Sequence, residues 1–160
     1  MQKLNCYNIL IADVFAACLS GLVMAADTPS VTAQDQTNDV MAAGRQAVQN
    51  KNWTQAIASF KKAVAENPKN ADAYNLLGYS HRAQGKFDDA FTAYDKALAI
   101  EPQHKGALEY SGLGYLKTNQ KVKAEAQLAK LKAICATCEE TSSLTKALAD
   151  YKPGIVSSTY

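Results

Sequence analysis

Small and apolar residues recur at spacings of three and four along most of the chain, as on the buried face of an α-helix. The pattern is clearest in residues 71–102, where it is interrupted near Gly85 and stopped at Pro102. Gly readily adopts the left-handed conformation that ends a helix, and Pro cannot continue one. This segment is therefore predicted to form two short amphipathic helices. The residues on their buried faces are Tyr74, Leu77, Gly78, His81, Ala90, Tyr94 and Ala97.

The same arrangement recurs with a period of 34 residues on either side of this segment. One column of the repeat holds only Gly, a second only Ala, and a third large apolar residues. The columns are Gly44, Gly78 and Gly112; Ala56, Ala90 and Ala124; and Phe60, Tyr94 and Leu128. Gly inside a helix lowers stability by about 1 kcal/mol relative to Ala, so its recurrence predicts a neighbouring helix too close for a methyl group. Such repetition is typical of stacked helical hairpins.

Local signals place the ends of these helices. Gly85 and Asn119 lie one period apart, and both residue types tolerate the left-handed conformation that follows a helix. Asn52 and Asn70 each precede a helical segment and are predicted N-caps.

The chain resembles the tetratricopeptide repeat (TPR) family through Tyr74, Leu77-Gly78, Ala90, Tyr94, Ala97 and Pro102, which match the family pattern without a gap. A departure is His81, where that family prefers Tyr. The resemblance implies an all-α fold, a right-handed superhelix of three TPR hairpins. A capping helix is expected to cover the apolar end of the stack, followed by a loose tail. The predicted hairpins, capping helix and tail are 37–70, 71–104, 105–138, 139–152 and 153–160.

Residues 1–25 are predicted to be a secretory signal peptide, followed by a polar linker over 26–36. Lys3 gives a positive start, residues 14–24 are an apolar run, and small residues precede the expected cleavage before Ala26. An uncleaved membrane anchor and a lipoprotein site at Cys18 are the alternatives. An anchor needs about twenty uninterrupted apolar residues, and the run here is shorter. The chain is therefore interpreted as a small exported bacterial protein, periplasmic or secreted, with no stable membrane insertion after cleavage.

Composition narrows the function further. The net charge of +2, with 20% charged residues, gives no basic surface pattern typical of nucleic-acid binding. No paired-carboxylate, phosphate-loop or nucleophile-elbow motif indicates an enzyme, and no cofactor is expected. His81 and His104 do not share a helix face, so no metal site is predicted. The single Trp, Trp53, is predicted to pack in the core rather than to stack on a ligand.

After removal of the signal peptide, two cysteines remain, Cys135 and Cys138. They occupy the turn at which the first two repeats have Pro68 and Pro102. A disulfide between them is predicted to hold this turn in place of proline, since exported proteins meet an oxidising compartment. The alternative is a thiol–disulfide or metal-handling role for the same pair.

The resemblance to TPR proteins implies a function in protein binding. The first helices of the hairpins line a concave groove that is expected to bind a peptide or helix of another protein, as a non-catalytic adaptor or scaffold. TPR domains that grip a carboxyl-terminal peptide use Lys and Asn at positions where this chain has Met41, Arg45, Leu76 and Gly106, so that particular activity is not implied. Self-association through the open end of the stack is a further hypothesis. The residues predicted to face a partner are Asn38, Met41, Arg45, Asn75, Tyr79, Arg82, Glu109, Leu113 and Leu116.

Overall fold

The computed structural model describes residues 33–154, which form seven α-helices and no strand and belong to one compact unit, Val31–Tyr160. The predicted signal peptide, most of the linker and the end of the tail lie outside the described residues. The predicted all-α fold of three hairpins and a closing helix is confirmed. The helices are α1 (Ala33–Gln49), α2 (Trp53–Glu66), α3 (Ala71–Ala83), α4 (Phe87–Ile100), α5 (Lys105–Lys117), α6 (Lys121–Ile134) and α7 (Glu139–Ala149).

Successive helices pack in pairs, α1 with α2, α3 with α4 and α5 with α6, and each pair packs on the next. The last helix, α7, packs on both α5 and α6. Two boundaries differ from the sequence prediction. Helix α1 begins at Ala33, inside the predicted linker, and α7 ends at Ala149, before the predicted end at residue 152.

The turn inside each hairpin has the same backbone geometry. Lys51, Gly85 and Asn119, one period apart, have φ angles of 55°, 75° and 57°. The residue immediately after each of them donates its N–H to the carbonyl oxygen five residues earlier. The donor–acceptor distance is 2.8 Å for Asn52, 2.9 Å for Lys86 and 2.7 Å for Gln120. This bond and the left-handed residue before it are a Schellman motif. The predicted helix ends at Gly85 and Asn119 are therefore confirmed, and Lys51 is an additional left-handed residue.

At each turn between hairpins, a side chain caps the N-terminus of the next helix. Asn70 accepts a hydrogen bond from the Ala73 N–H at 2.9 Å, as the predicted N-cap of α3. One period later, His104 Nδ1 accepts from the Ala107 N–H at 3.1 Å, so a ring nitrogen caps α5. The other ring nitrogen of His104 lies 3.1 Å from Asp72 Oδ1 and ties this turn to the preceding repeat. Asn52 likewise caps α2, accepting from the Gln55 N–H at 3.2 Å.

The glycine column marks the closest approach between helices. A Cβ placed on Gly44 would lie 2.5 Å from the Phe60 ring, and one on Gly78 would lie 2.6 Å from the Tyr94 ring. In the third repeat the contact partner changes, because a Cβ on Gly112 would meet Leu144 of α7 at 2.5 Å. The closing helix therefore supplies the side chain that packs against the last glycine.

The first core cluster corrects one prediction about the groove. Met41 is only 6% exposed and packs in a cluster that includes Phe60 and Leu77. Met41 precedes Gly44 by three residues and therefore lies on the same helix face, which is turned towards α2 and α3. Ala43, two residues later, lies on the other side of the helix and is exposed. Met41 thus stabilises the stack and does not present a free surface.

Among the described residues, no helix combines the length and the apolar character needed to cross a bilayer.

The glycine contact predicts the effect of Gly78→Ala. Helix propensity alone would make Ala more stable by about 1 kcal/mol. Tyr94 is fully buried, so its ring has no room to retreat from a new methyl group, and overpacking of this kind costs about 1–3 kcal/mol. We expect a net loss of about 1 kcal/mol or more in the free energy of unfolding, measured by urea denaturation. Ala83→Gly, at an exposed position of the same helix, calibrates the propensity term. A Gly78→Ala chain more stable than the parent would contradict the close approach.

Candidate functional site

The first helices of the hairpins lie on the inner side of the stack. Helix α3 contacts α5 directly, whereas among the described residues no comparable contact joins α2 to α4 or α4 to α6. The second and third hairpins are therefore more closely spaced along their first helices. We call the surface of α1, α3 and α5 turned away from the second helices the inner face.

The structure distributes the nine predicted partner-facing residues over two environments. Met41 and Asn75 are buried, each 6% exposed. Asn75 lies between α3 and α5, where a Cβ on Gly106 would approach its Nδ2 atom to 3.0 Å, and this close packing removes it from the free surface. The other seven retain exposed surface, and Leu113 and Leu116 are also packed against the third core cluster. The seven are Asn38, Arg45, Tyr79, Arg82, Glu109, Leu113 and Leu116.

Two of these residues meet in a cluster of aromatic rings around one guanidinium group. The Arg82 Cζ atom lies 5.3 Å from the Tyr79 ring centroid and 5.8 Å from that of Tyr110. The two rings lie 5.2 Å apart, and Trp53 contacts Tyr79 edge-on at 5.9 Å. These distances are within the range of cation–π and aromatic pair interactions. We call Trp53, Tyr79, Arg82 and Tyr110 the aromatic–arginine cluster.

Sequence reasoning identified only half of this cluster. Tyr79 and Arg82 lie one turn apart on α3, but Tyr110 is on α5 and was not selected. Trp53 was assigned to the core, whereas it is half-buried and contacts Tyr79. The available signal was the presence of a tyrosine on each of two consecutive first helices.

Two buried polar atoms lie on the inner side of the cluster. Arg82 Nε is buried and has no hydrogen-bond partner among the described residues, and the same is true of the fully buried Tyr94 hydroxyl. Burial raises the pKa of Tyr94, and the nearby Arg82 charge opposes this rise only in part. Tyr94 is therefore a neutral phenol behind a fixed cation. The guanidinium is positioned before any ligand arrives.

Charges of both signs flank the cluster. Burial lowers the pKa of Lys117, and the charge of Arg82 lowers it further. Burial also raises the pKa of Glu109, and Glu140 adds to this, while a hydrogen bond with Ser143 opposes it. The inner face therefore has a positive region at Arg82 and an acidic region beside α7.

The cysteine turn is held by side-chain hydrogen bonds, and the disulfide between Cys135 and Cys138 stays a prediction. Cys135 and Cys138 are both free thiols. The turn is held by Thr141, whose hydroxyl donates to the Cys135 carbonyl oxygen at 2.6 Å. The Cys138 Sγ atom also lies 3.2 Å from that oxygen. The Thr141 hydroxyl therefore bridges the same turn for which the sequence predicts a disulfide.

Metal binding has no geometric support in the described part of the chain, where no three His, Cys, Asp or Glu side chains are grouped to hold an ion. His104 is engaged as an N-cap, and His81 is buried in a different interface.

The comparisons with known proteins point to one fold. Residues 41–105 match the family model described as tetratricopeptide repeat. The small glutamine-rich tetratricopeptide repeat-containing protein 2 of Saccharomyces cerevisiae is 32% identical over 96 residues, 59% of this chain and 27% of that protein. The chain thus spans less than two thirds of the length of this relative.

Solved structures agree with the architecture. The Arabidopsis OM64 TPR domain superposes with a TM-score of 0.67 at 18% identity, covering 73% of this chain and 97% of that domain. The first TPR of Spaghetti (RPAP3) bound to the HSP90 peptide SRMEEVD gives a TM-score of 0.65 at 16% identity, covering 74% and 96%. At these identities the likeness establishes the fold.

The geometry of the cysteine turn predicts how Cys138 reacts. Hydrogen bonds with the side chains of Cys135 and then Thr141 hold the pKa of Cys138 below its ordinary value. Because the thiolate is the reactive form, alkylation by iodoacetamide should reach half its maximal rate at a lower pH than for an ordinary cysteine, about 8.5. Thr141→Val should move this profile to higher pH, as followed by peptide mass spectrometry. Thr145→Val, one turn further along α7, is the matched control. Identical profiles for the parent chain and Thr141→Val would contradict the assignment.

Proposed function

We propose that this chain is a non-catalytic adaptor with the TPR fold that binds a peptide or helix of another protein on its inner face. The observation that carries the proposal is the Arg82 guanidinium held against the rings of Tyr79 and Tyr110. A structurally similar TPR domain, that of Spaghetti (RPAP3), is bound to an HSP90 peptide. This similarity supports the class of ligand and leaves its sequence open.

The chemistry of the aromatic–arginine cluster suits such a ligand. Tyr, Trp and Arg are the residues most enriched at the energetic centres of protein interfaces. Flat rings offer apolar contact with little loss of conformational freedom, and the guanidinium still has N–H groups to donate to a carboxylate or carbonyl. Because Arg82 is already positioned, less entropy is lost when a ligand binds. The expected ligand therefore places an acidic or carbonyl group at Arg82 and apolar side chains on the rings.

Binding at the inner face is tested by affinity capture from a native extract with quantitative mass spectrometry. Proteins recovered by the parent chain should fall at least about tenfold with Arg82→Ala and with Tyr79→Ala, as for residues at the centre of an interface. Lys130→Ala changes an exposed charge on α6 and should leave recovery unchanged. Thermal melting of each variant verifies folding. Equal recovery by all four chains would reject the inner face as the binding surface.

We further propose that the protein is exported, with residues 1–25 acting as a signal peptide. The support is the sequence alone: Lys3, the apolar run over residues 14–24 and the small residues before Ala26. The protein would then act in the periplasm or outside the cell.

Export is tested by mass spectrometry of the chain made in a bacterial cell. The mature protein should begin at Ala26, or one residue later. Leu22→Arg, which places a charge in the apolar run, should block processing and leave the chain starting at Met1. An unmodified chain that retains Met1 would contradict the proposal.

A thiol–disulfide role for Cys135 and Cys138 is the second candidate. It is favoured by two free thiols within one turn, with Cys138 immediately before the N-terminus of α7. In an oxidising compartment the same pair would form the disulfide expected from the sequence. If Cys138 shows the same dependence of alkylation rate on pH as an ordinary cysteine, a role in thiol–disulfide exchange is rejected.

Self-association stays a hypothesis, and we propose that it would use the α1 end of the stack. At the other end, α7 already covers Gly112 and contributes Leu144 to the third core cluster.

A further inference from the structure

A cavity of about 230 Å³ lies between α2 and α4, over the side of α3 that carries Leu77 and His81. Its lining comes largely from the second helices of the first two hairpins. None of the residues of the aromatic–arginine cluster lines it. The volume is below the roughly 300–1,000 Å³ of typical ligand pockets, so the cavity suits a small molecule.

The cavity is associated with a residue that differs between repeats. His81 shares its column with Ala47 and Tyr115, one period away on either side. In the later repeat, the Tyr115 ring stacks on Phe91 with centroids 4.4 Å apart, and Lys123 Nζ lies 5.3 Å from the same ring. Histidine is smaller than tyrosine and leaves space where the Tyr115 ring fills its own interface.

His81 brings an unsatisfied polar atom to this space. The residue is 6% exposed, and its buried Nδ1 atom has no hydrogen-bond partner among the described residues. Asp89 Oδ2 lies 3.6 Å away, beyond hydrogen-bond distance. Burial is the main cause that lowers the pKa of His81; Asp89 opposes it, and Lys61 and Lys86 reinforce it. The imidazole is therefore neutral at neutral pH, with one ring N–H to donate and one nitrogen to accept.

The charges around the cavity favour an anion. Lys61 and Lys96 line it and are exposed, and Lys96 Nζ lies 5.6 Å from the Tyr74 ring centroid. Lys86 also acts on His81, and Asp89 is the carboxylate in the lining. Two lysines against one carboxylate in the lining leave a net positive region beside the apolar side chains of the wall.

We propose that this cavity is a binding site for a small organic carboxylate with a short apolar body. The carboxylate would lie towards Lys61 and Lys96, the apolar body would pack on Val64 and Leu77, and His81 would donate or accept one hydrogen bond. The site is separate from the inner face, so its occupation does not depend on the proposed adaptor function.

The test is a titration of the ¹⁵N-labelled full chain with sodium benzoate, followed by ¹H–¹⁵N correlation spectra. Saturable shifts are expected at α2, α3 and α4 residues around the cavity. Benzyl alcohol and benzylammonium have the same ring without the negative charge, and each should bind at least several-fold more weakly. N-acetylglutamate amide has a carboxylate on a peptide-like body, and tighter binding of this probe than of benzoate would overturn the small-molecule assignment in favour of a protein side chain.

Variants separate the cavity from general surface charge. His81→Tyr introduces the residue that fills the equivalent interface at Tyr115 and should abolish benzoate binding without lowering the melting temperature. Lys96→Ala should weaken binding several-fold, whereas Lys130→Ala, one period later and outside the cavity, should have no effect. If His81→Tyr fails to fold, the double variant Lys61→Ala/Lys96→Ala replaces it. Both lysines are exposed, and their loss should abolish benzoate binding. Absence of saturable shifts, undiminished binding after loss of both lysines, or equal affinity for benzylammonium would each overturn the proposal.

Discussion

The architecture depends on a contact between two helices at a position where one of them has a glycine and therefore no side chain. At Gly44 and Gly78 the facing aromatic ring occupies the volume that a Cβ atom would need, so the two helices of the first and second hairpins meet backbone against ring. This approach fixes the separation and the rotation of the two helices together, because the ring must point at the glycine. The loss of helix propensity at Gly is offset by the burial of Phe60 and Tyr94, which are completely inaccessible to solvent. At Gly112 the same requirement is met by Leu144, which explains why the fold needs a seventh helix.

The inner face follows from this constraint. Once Gly78 is turned towards α4, the residues one and four positions later on α3 are rotated about the helix axis by about 100° and about 40°, so both lie on the same side of the contact with α4. Tyr79 and Arg82 occupy those positions, and the direct contact between α3 and α5 brings Tyr110 to them. The helices that bury the core thereby present the cluster at a defined geometry. Binding residues in such a fold can differ between repeats without disturbing the glycine column.

The repeat period made the helices, their order and most turns predictable from the sequence, because each signal occurs two or three times. The sequence prediction missed features in which a residue adopts a conformation or an environment that its residue type does not indicate. Lys51 adopts a left-handed conformation for which lysine has no preference, because the hairpin geometry requires it there. Met41 was placed on the free surface because α1 is rich in small residues and its buried stripe is ambiguous. The hydrogen bond from the Thr141 hydroxyl to the Cys135 carbonyl oxygen was not predicted, and the disulfide at this turn stays a prediction. The contact of Tyr79 with Tyr110 joins two repeats, and its signal in the sequence is the tyrosine on each of two consecutive first helices.

One column shows how a repeat fold separates stability from specialisation. Ala47, His81 and Tyr115 each supply the carbonyl that accepts the Schellman hydrogen bond of their hairpin, so the backbone at this position is the same in all three. The side chain is not constrained by that bond, and it varies from a methyl group to an imidazole to a phenol ring. Because each repeat contacts only its neighbours, the consequence of each choice stays within one interface. Tyr115 fills its interface and packs on Phe91, whereas His81 leaves a cavity with an unpaired nitrogen. At such a position the backbone hydrogen bond is kept while the side chain changes. A binding site can therefore arise there with little loss of stability.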